Sequence, residues 1–230
     1  MPAAFRTLLN PDAGDTDPYF SSVSLLLHMD GSNGSTTFTD SSSNAFSATV
    51  SGNAQISTTN PKFGTGAGSF DGNGDYVTFA NNAAFNFGTG DFTVESWFNG
   101  TGTILGKWGS GNQVAYVLII SSTQINFSVG SAGVYSTGFL FNTTISSNTW
   151  YHVAITRSGT TLRCFLNGTQ IGTDQTSSQN LTSTATVDIG VTKSNLSSYF
   201  NGSIDDVRLT KGVARYTASF TAPSAAFPDS

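Results

Sequence analysis

The sequence predicts an all-β protein, folded as an antiparallel two-sheet β-sandwich. Two patterns and one composition carry that expectation. Short runs rich in β-branched and aromatic residues recur about every 8–12 residues, punctuated by Gly, Asn, Asp and Ser. No run keeps a 3.6-residue apolar period over the length of a helix. Only 10% of the 230 residues are charged, against 37% hydrophobic, and 25 are glycine; an average soluble protein carries roughly 25% charge. Such a chain buries branched and aromatic side chains and covers itself with hydroxyls and amides.

Composition also excludes functions. A net charge of −5 and a pI near 4.6 argue against a phosphate-backbone partner, so no nucleic acid is expected. No apolar run approaches the ~18 residues of a membrane span and no signal peptide is visible, so no membrane insertion is expected. Cys164 is the only cysteine, which rules out an intrachain disulfide. In a strand it shares a face with Leu162 and Leu166, as a buried structural thiol would.

Residues 1–21 show no sustained periodicity. Pro2, Pro11 and Pro18 with Asp12, Asp15 and Asp17 read as an N-terminal arm, an anchoring segment for a partner. Residues 22–28 open the strands, 36–39 form a short one, and Asp40-Ser41-Ser42-Ser43-Asn44 is a turn. Strands follow over 46–50 and 54–57. Asp71, Asn73 and Asp75 mimic the start of a calcium-binding loop. Tyr76 and Asn82 then break the pattern, so the segment reads as a hairpin turn. Over 92–98, alternation puts Phe92, Val94, Ser96 and Phe98 on one face and Thr93, Glu95 and Trp97 on the other. Strands are expected at 103–107, 113–121, 124–129, 133–137 and 139–141, with Trp108 in a loop. Residues 148–157 and 162–172 form a further pair, with Asn167-Gly168 as a type I′ hairpin signal.

The chain closes on Gly202-Ser203-Ile204-Asp205-Asp206-Val207-Arg208-Leu209. Strict alternation puts Asp205 with Val207 and Leu209, unless a bulge re-aims it. A carboxylate among aliphatic neighbours needs a partner, which is Arg208, backbone N–H groups or a cation.

Five stretches in order resemble one family. They are Phe70-Asp71-Gly72-Asn73-Gly74-Asp75-Tyr76-Val77, Gly90-Asp91-Phe92-Thr93-Val94-Glu95-Ser96-Trp97, Trp150-Tyr151-His152-Val153-Ala154, the Asn167-Gly168 hairpin, and the closing strand. Together they resemble laminin-G-like, concanavalin A-like lectin/glucanase jelly rolls, and the continuation over 210–223 resembles the version found in bacteriophage and prophage structural proteins. The resemblance divides the chain into an arm (1–21), a jelly-roll domain (22–225) and a C-terminal tail (226–230). It implies a virion structural protein, as a capsid decoration protein, head fibre or tail appendage. Other virion proteins would hold the arm, a host-surface glycan would be the ligand, and homo-oligomerisation is left open. A secreted or cell-surface bacterial carbohydrate-binding module and a degenerate glucanase are the alternatives.

No enzyme activity is expected. Glycoside hydrolysis usually needs two carboxylates flanking the bond. Related glucanases carry Glu-x-Asp-x-x-Glu on one strand, whereas Glu95 is the only glutamate here and is followed by Ser96 and Trp97. Glycan contact is assigned to Glu95, Trp97 and Trp108. By resemblance alone, one structural calcium would be held by Asp30 with Asp205 or Asp206. A salt bridge to Arg208 or another basic residue is the competing account of the acid pair.

Overall fold

The structure is a computed structural model and describes residues 16–111, 113–131, 134–194 and 196–230. Most of the expected arm, residues 1–15, lies outside the described residues. Fourteen strands follow in order. They are β1 (Val23–Leu27), β2 (Ala48–Ser51), β3 (Gln55–Ser57), β4 (Ala67–Asp71), β5 (Tyr76–Phe79), β6 (Phe92–Gly109), β7 (Gln113–Ile120) and β8 (Gln124–Ser131). Then come β9 (Val134–Asn142), β10 (Tyr151–Ser158), β11 (Thr161–Leu166), β12 (Thr169–Thr176), β13 (Val187–Ile189) and β14 (Asn201–Lys211). The helical content described is two 3₁₀ turns, Phe20–Ser22 and Ala83–Phe85.

All pairings are antiparallel, in two layers. One sheet runs β12-β11-β10-β6-β14; beyond β14 lie β1 along one half and β4-β3 along the other. The other runs β2-β5-β13-β6-β7-β8-β9. Between them Phe79, Phe92, Phe98, Phe127, Leu25 and Val207 are buried in one continuous core. The expected β-sandwich is therefore present.

Several local expectations change. Residues 36–39 form no strand. The runs at 92–98 and 103–107 are one strand, β6, which takes part in both sheets. It passes between them at Gly100, which faces Gly202 of β14. A Cβ on Gly100 would stand 2.1 Å from the Asn201 carbonyl, and one on Gly202 2.1 Å from the Asn99 carbonyl. The crossing is so close that both positions require glycine. Trp108, expected in a loop, sits near the end of this strand. The runs expected at 133–137 and 139–141 likewise become one strand, β9, from Val134 on; residue 133 lies outside the described residues. Asn167 and Gly168 both have positive φ, 49° and 79°, as the I′ hairpin needs.

Asp205-Asp206 occupies a β-bulge. Between the pairs Asp205↔Trp97 and Arg208↔Glu95 the register against β6 slips by one residue. Asp206 takes φ +49°, the left-handed region that Asp tolerates better than most residues. On its other edge β14 changes partner here, from β4 (through Ile204) to β1 (from Val207). The extra residue resets the alternation. Ile204, Val207 and Leu209 all face the core, while Asp205, Asp206 and Arg208 bond to groups outside it. The face assignment from strict alternation is corrected accordingly.

Residues 212–230 contain no strand, yet they cover the outer face of the first sheet. Tyr216 O accepts from Thr156 Oγ1 (2.8 Å), Phe220 N donates to Gly168 O (2.8 Å), and Phe220 packs edge-on against Phe165. Phe227 is buried, and Ser230 O accepts from Asp17 N at 2.8 Å. Tail and end of arm, which the sequence sets apart at 226 and 21, are packed parts of the body.

Candidate functional site

The structure does not bring the six residues singled out from the sequence into one site, although Asp205 and Trp97 are register partners that both meet Lys62 and Phe63. Glu95 and Trp97 do share the outward face of β6, as alternation requires, but that face is covered: Tyr216 and Arg215 of the 212–230 segment lie over Glu95, and Lys62 and Phe63 over Trp97. Glu95 is 0% exposed and Trp97 5%. Glu95 Oε1 accepts from Arg208 Nε at 2.9 Å, and Oε2 from the Tyr216 hydroxyl at 2.9 Å. His152 Nε2 stands 3.3 Å from Oε2. Arg208 reaches on to Asp17 (3.2 Å), which also takes two bonds from Arg215 (3.0 and 2.7 Å). Two carboxylates and two guanidiniums thus close a buried, charge-balanced network. Burial by itself would raise the Glu95 carboxyl. The Arg208 charge, then His152 and Arg215, override it and hold the group well below the usual carboxylate range. An acid sealed in this way cannot flank a glycosidic bond. Both it and Trp97 are structural, which corrects their assignment to glycan contact.

Each candidate calcium ligand is already held by protein donors. Asp30 accepts from Thr65 N, Thr65 Oγ1 and Gly66 N. Asp205 Oδ2 takes the Lys62 and Phe63 amides at 2.9 and 3.1 Å. Asp206 bonds His28 Nδ1 at 2.8 Å and Phe227 N at 2.7 Å. Among the described residues no three His, Cys, Asp or Glu side chains form a metal cluster. Acids already committed to separate protein donors do not fit a calcium ion, which wants 6–8 oxygens around one point. Arg208, the partner named for the pair, instead bonds Glu95 and Asp17, and the basic residue on Asp206 is His28. Burial pushes the Asp205 carboxyl up to about 8, against the pull of the Phe63 amide. Its Oδ1 has no hydrogen-bond partner among the described residues.

Of the three residues assigned to glycan contact, Trp108 alone is not buried; it is half-buried. It follows Gly106, whose register partners Asp188 and Val117 place it on the outer face of the second sheet, and it pairs with Val114. Its ring meets Tyr135 of β9 edge-on, with centroids 5.9 Å apart. Tyr135 is 57% exposed. The Tyr135 hydroxyl lies over Gly138, where any Cβ would come within 3.3 Å of it. Ser128 and Asn126, bonded to each other at 2.9 Å, continue the same face. Val134 and Leu140 add exposed apolar surface on β9. The sequence reading missed Tyr135. Its signal is weak but present: residues 134–142 carry no charge and no proline, unusual for an edge strand.

The profile of the concanavalin A-like lectin/glucanases superfamily, in its laminin-G-like branch, matches residues 71–215. The chain belongs to this family. No curated protein matches it. Among solved structures, the binding domain of Paraclostridial Mosquitocidal Protein 1 aligns with TM-score 0.67 and 15% identity, over 86% of this chain and 51% of that one. The botulinum neurotoxin type G receptor-binding domain gives 0.60 and 15%, over 83% and 48%. A botulinum neurotoxin type C structure, of a toxin whose cell entry is described as dependent upon interaction with two ganglioside molecules, gives 0.61 and 16%, over 86% and 50%. The laminin-G-like chain thus spans about half the length of these structures, and at such identities the likeness is one of fold.

Proposed function

We propose that the chain is a non-enzymatic, lectin-like domain that holds glycan on the outer face of its second sheet, through Trp108 and Tyr135. The observation that carries this reading is the accessible Trp108–Tyr135 pair beside the Asn126 and Ser128 side chains. An aromatic plate rimmed by neutral donors and acceptors suits a sugar ring, which offers an apolar face and a hydroxyl edge. Sealing of the lone glutamate supports a binding role over hydrolysis. Structures of the same fold that are described as receptor-binding domains support it further. The proposed setting is a virion surface, with a host-cell glycan as ligand. Its support is the resemblance of 210–223 to phage structural proteins. The anchoring role expected of 1–21 is proposed for the segment ahead of Asp17, since Asp17 is part of the body.

A glycan array tests the reading. Wild type should bind, and Trp108→Ala or Tyr135→Ala should cut affinity about tenfold or more with the melting temperature unchanged. A silent array with wild type, or folded variants that bind as wild type does, would refute it.

A further inference from the structure

A second concave site lies at the opposite end of β6 and β7 from Trp108. It is an open groove of about 530 Å³. Its walls come from the β4–β5 turn, the β7–β8 turn, the β6 crossing and the segment entering β14. Asp71, Asn201, Ser198 and Ser122 line it with polar groups, and Tyr199 and Ile119 with apolar ones. No lysine or arginine lines it among the described residues. Asp71 Oδ1 accepts from Asn73 N at 2.7 Å, which fixes the carboxylate at the turn. The Tyr199 ring stacks on Tyr76, with centroids 6.5 Å apart and planes 30° from parallel. Lys193 Nζ caps Tyr76 at 3.8 Å from its ring centre. The aromatic wall is therefore backed by protein and preorganised.

The chemistry of this wall selects a ligand. A ring with one apolar face can lie against Tyr199 while adjacent hydroxyls donate to Asp71 and bond the Asn201 amide. Hydroxyl-to-carboxylate bonds are charge-assisted and about twice as strong as neutral ones. An anionic sugar would instead meet Asp71 with no cation lining the groove, Lys193 lying behind Tyr76 and paired with Asp188, on a chain of net charge −5. We propose that this groove is a second glycan subsite, specific for a neutral, hydroxyl-rich ring. It shares its ligand chemistry with the Trp108–Tyr135 surface and none of its residues, so each can fail alone. Gly102 at the groove and Trp108 are six residues apart on β6, roughly 20 Å at strand rise.

Calorimetric titration of the full chain tests this, with cellohexaose, N-acetylchitohexaose and galactan as neutral probes and sialyllactose as the anionic one. At least one neutral probe should bind. Tyr199→Ala and Asp71→Asn should each weaken it about tenfold, the loss of one stacking face or one charge-assisted bond. Ser122→Trp, on an exposed turn, adds bulk without removing a contact, so it separates loss of the site from loss of the fold. It should block the groove in a protein that melts as wild type does. Trp108→Ala should leave the groove's share of binding intact. The proposal is overturned if no neutral probe binds, if the three groove variants bind as wild type does, or if sialyllactose binds as tightly as the neutral sugars. Binding lost in Trp108→Ala alone would overturn the groove while keeping the other surface.

Discussion

Glu95→Gln removes one negative charge from the middle of the first sheet and little volume. Two buried guanidiniums, Arg208 and Arg215, would then share the single carboxylate of Asp17. Breaking one partner out of a buried ion pair costs about 3–5 kcal/mol, mostly because the other charge stays buried without its match. In a chain of this size each kcal/mol lowers the melting temperature by about 2–4 °C, so a fall of roughly 6–20 °C is expected. The pH dependence has a definite sign. The folded-state pKa of Glu95 is depressed, so its stabilisation is present above the ordinary glutamate value of about 4.3 and fades as pH falls below it. The gap between wild type and variant should narrow between about pH 5 and pH 2. Pairing the change with Arg208→Met restores charge balance around Asp17 and Arg215, so the double variant should melt above either single one. Scanning calorimetry of the four proteins decides it. A Glu95→Gln shift under about 3 °C, or strictly additive losses in the double variant, would refute the network as described.

Three further outcomes are expected. Asp205→Asn should gain stability relative to wild type as pH rises from about 4 to 8. The raised folded-state pKa makes ionisation of the buried acid increasingly costly over that window, and a pH series of urea midpoints showing a flat difference would contradict this. Melting should be indifferent to EDTA and to added Ca²⁺; a rise with calcium that is lost in Asp206→Asn would reinstate the ion. Deleting residues 1–15 should leave the melting temperature nearly unchanged, whereas deleting 1–21 removes Asp17 and should lower it by several degrees. Equal melting of the two truncations would show that Asp17 contributes little.

Fold class was legible because turn chemistry and alternation are local. The I′ turn at Asn167-Gly168 and the two faces of β6 follow from neighbouring residues; the turn over 72–74 was found as well, but the hairpin expected there is not formed, because β4 pairs with β3 and β14 in the first sheet and β5 with β2 and β13 in the second. The faces of β6 were right and their exposure was wrong. What buries Glu95 is a segment over a hundred residues away, residues 212–230, and what covers Trp97 is the Lys62-Phe63 loop; neither has a periodic pattern of its own. Asp17 was assigned to the arm for the same reason: its partners Arg208 and Arg215 lie nearly two hundred residues downstream, and nothing beside it announces them. The bulge at Asp205-Asp206 did leave a local mark, two adjacent acids in a strand that otherwise alternates. Trp108 was found as an isolated aromatic. Its partner was not, because Tyr135 joins it only when β6 and β9 reach the same end of the second sheet.

The pairing of β1 with β14 has a consequence for how the chain is made. Val23 is opposite Thr210, and β14 is the sole strand partner of β1 among the described residues. The run Val-Ser-Leu-Leu-Leu, fully buried in the finished domain, therefore leaves the ribosome long before its partner exists. At about 5–20 residues per second it waits on the order of 10–40 s with its backbone edge unsatisfied. Through that interval the chain's most aliphatic strand is open to other nascent chains and to chaperones. Yield in a cell should consequently respond more to conditions during synthesis than the stability of the completed domain would suggest.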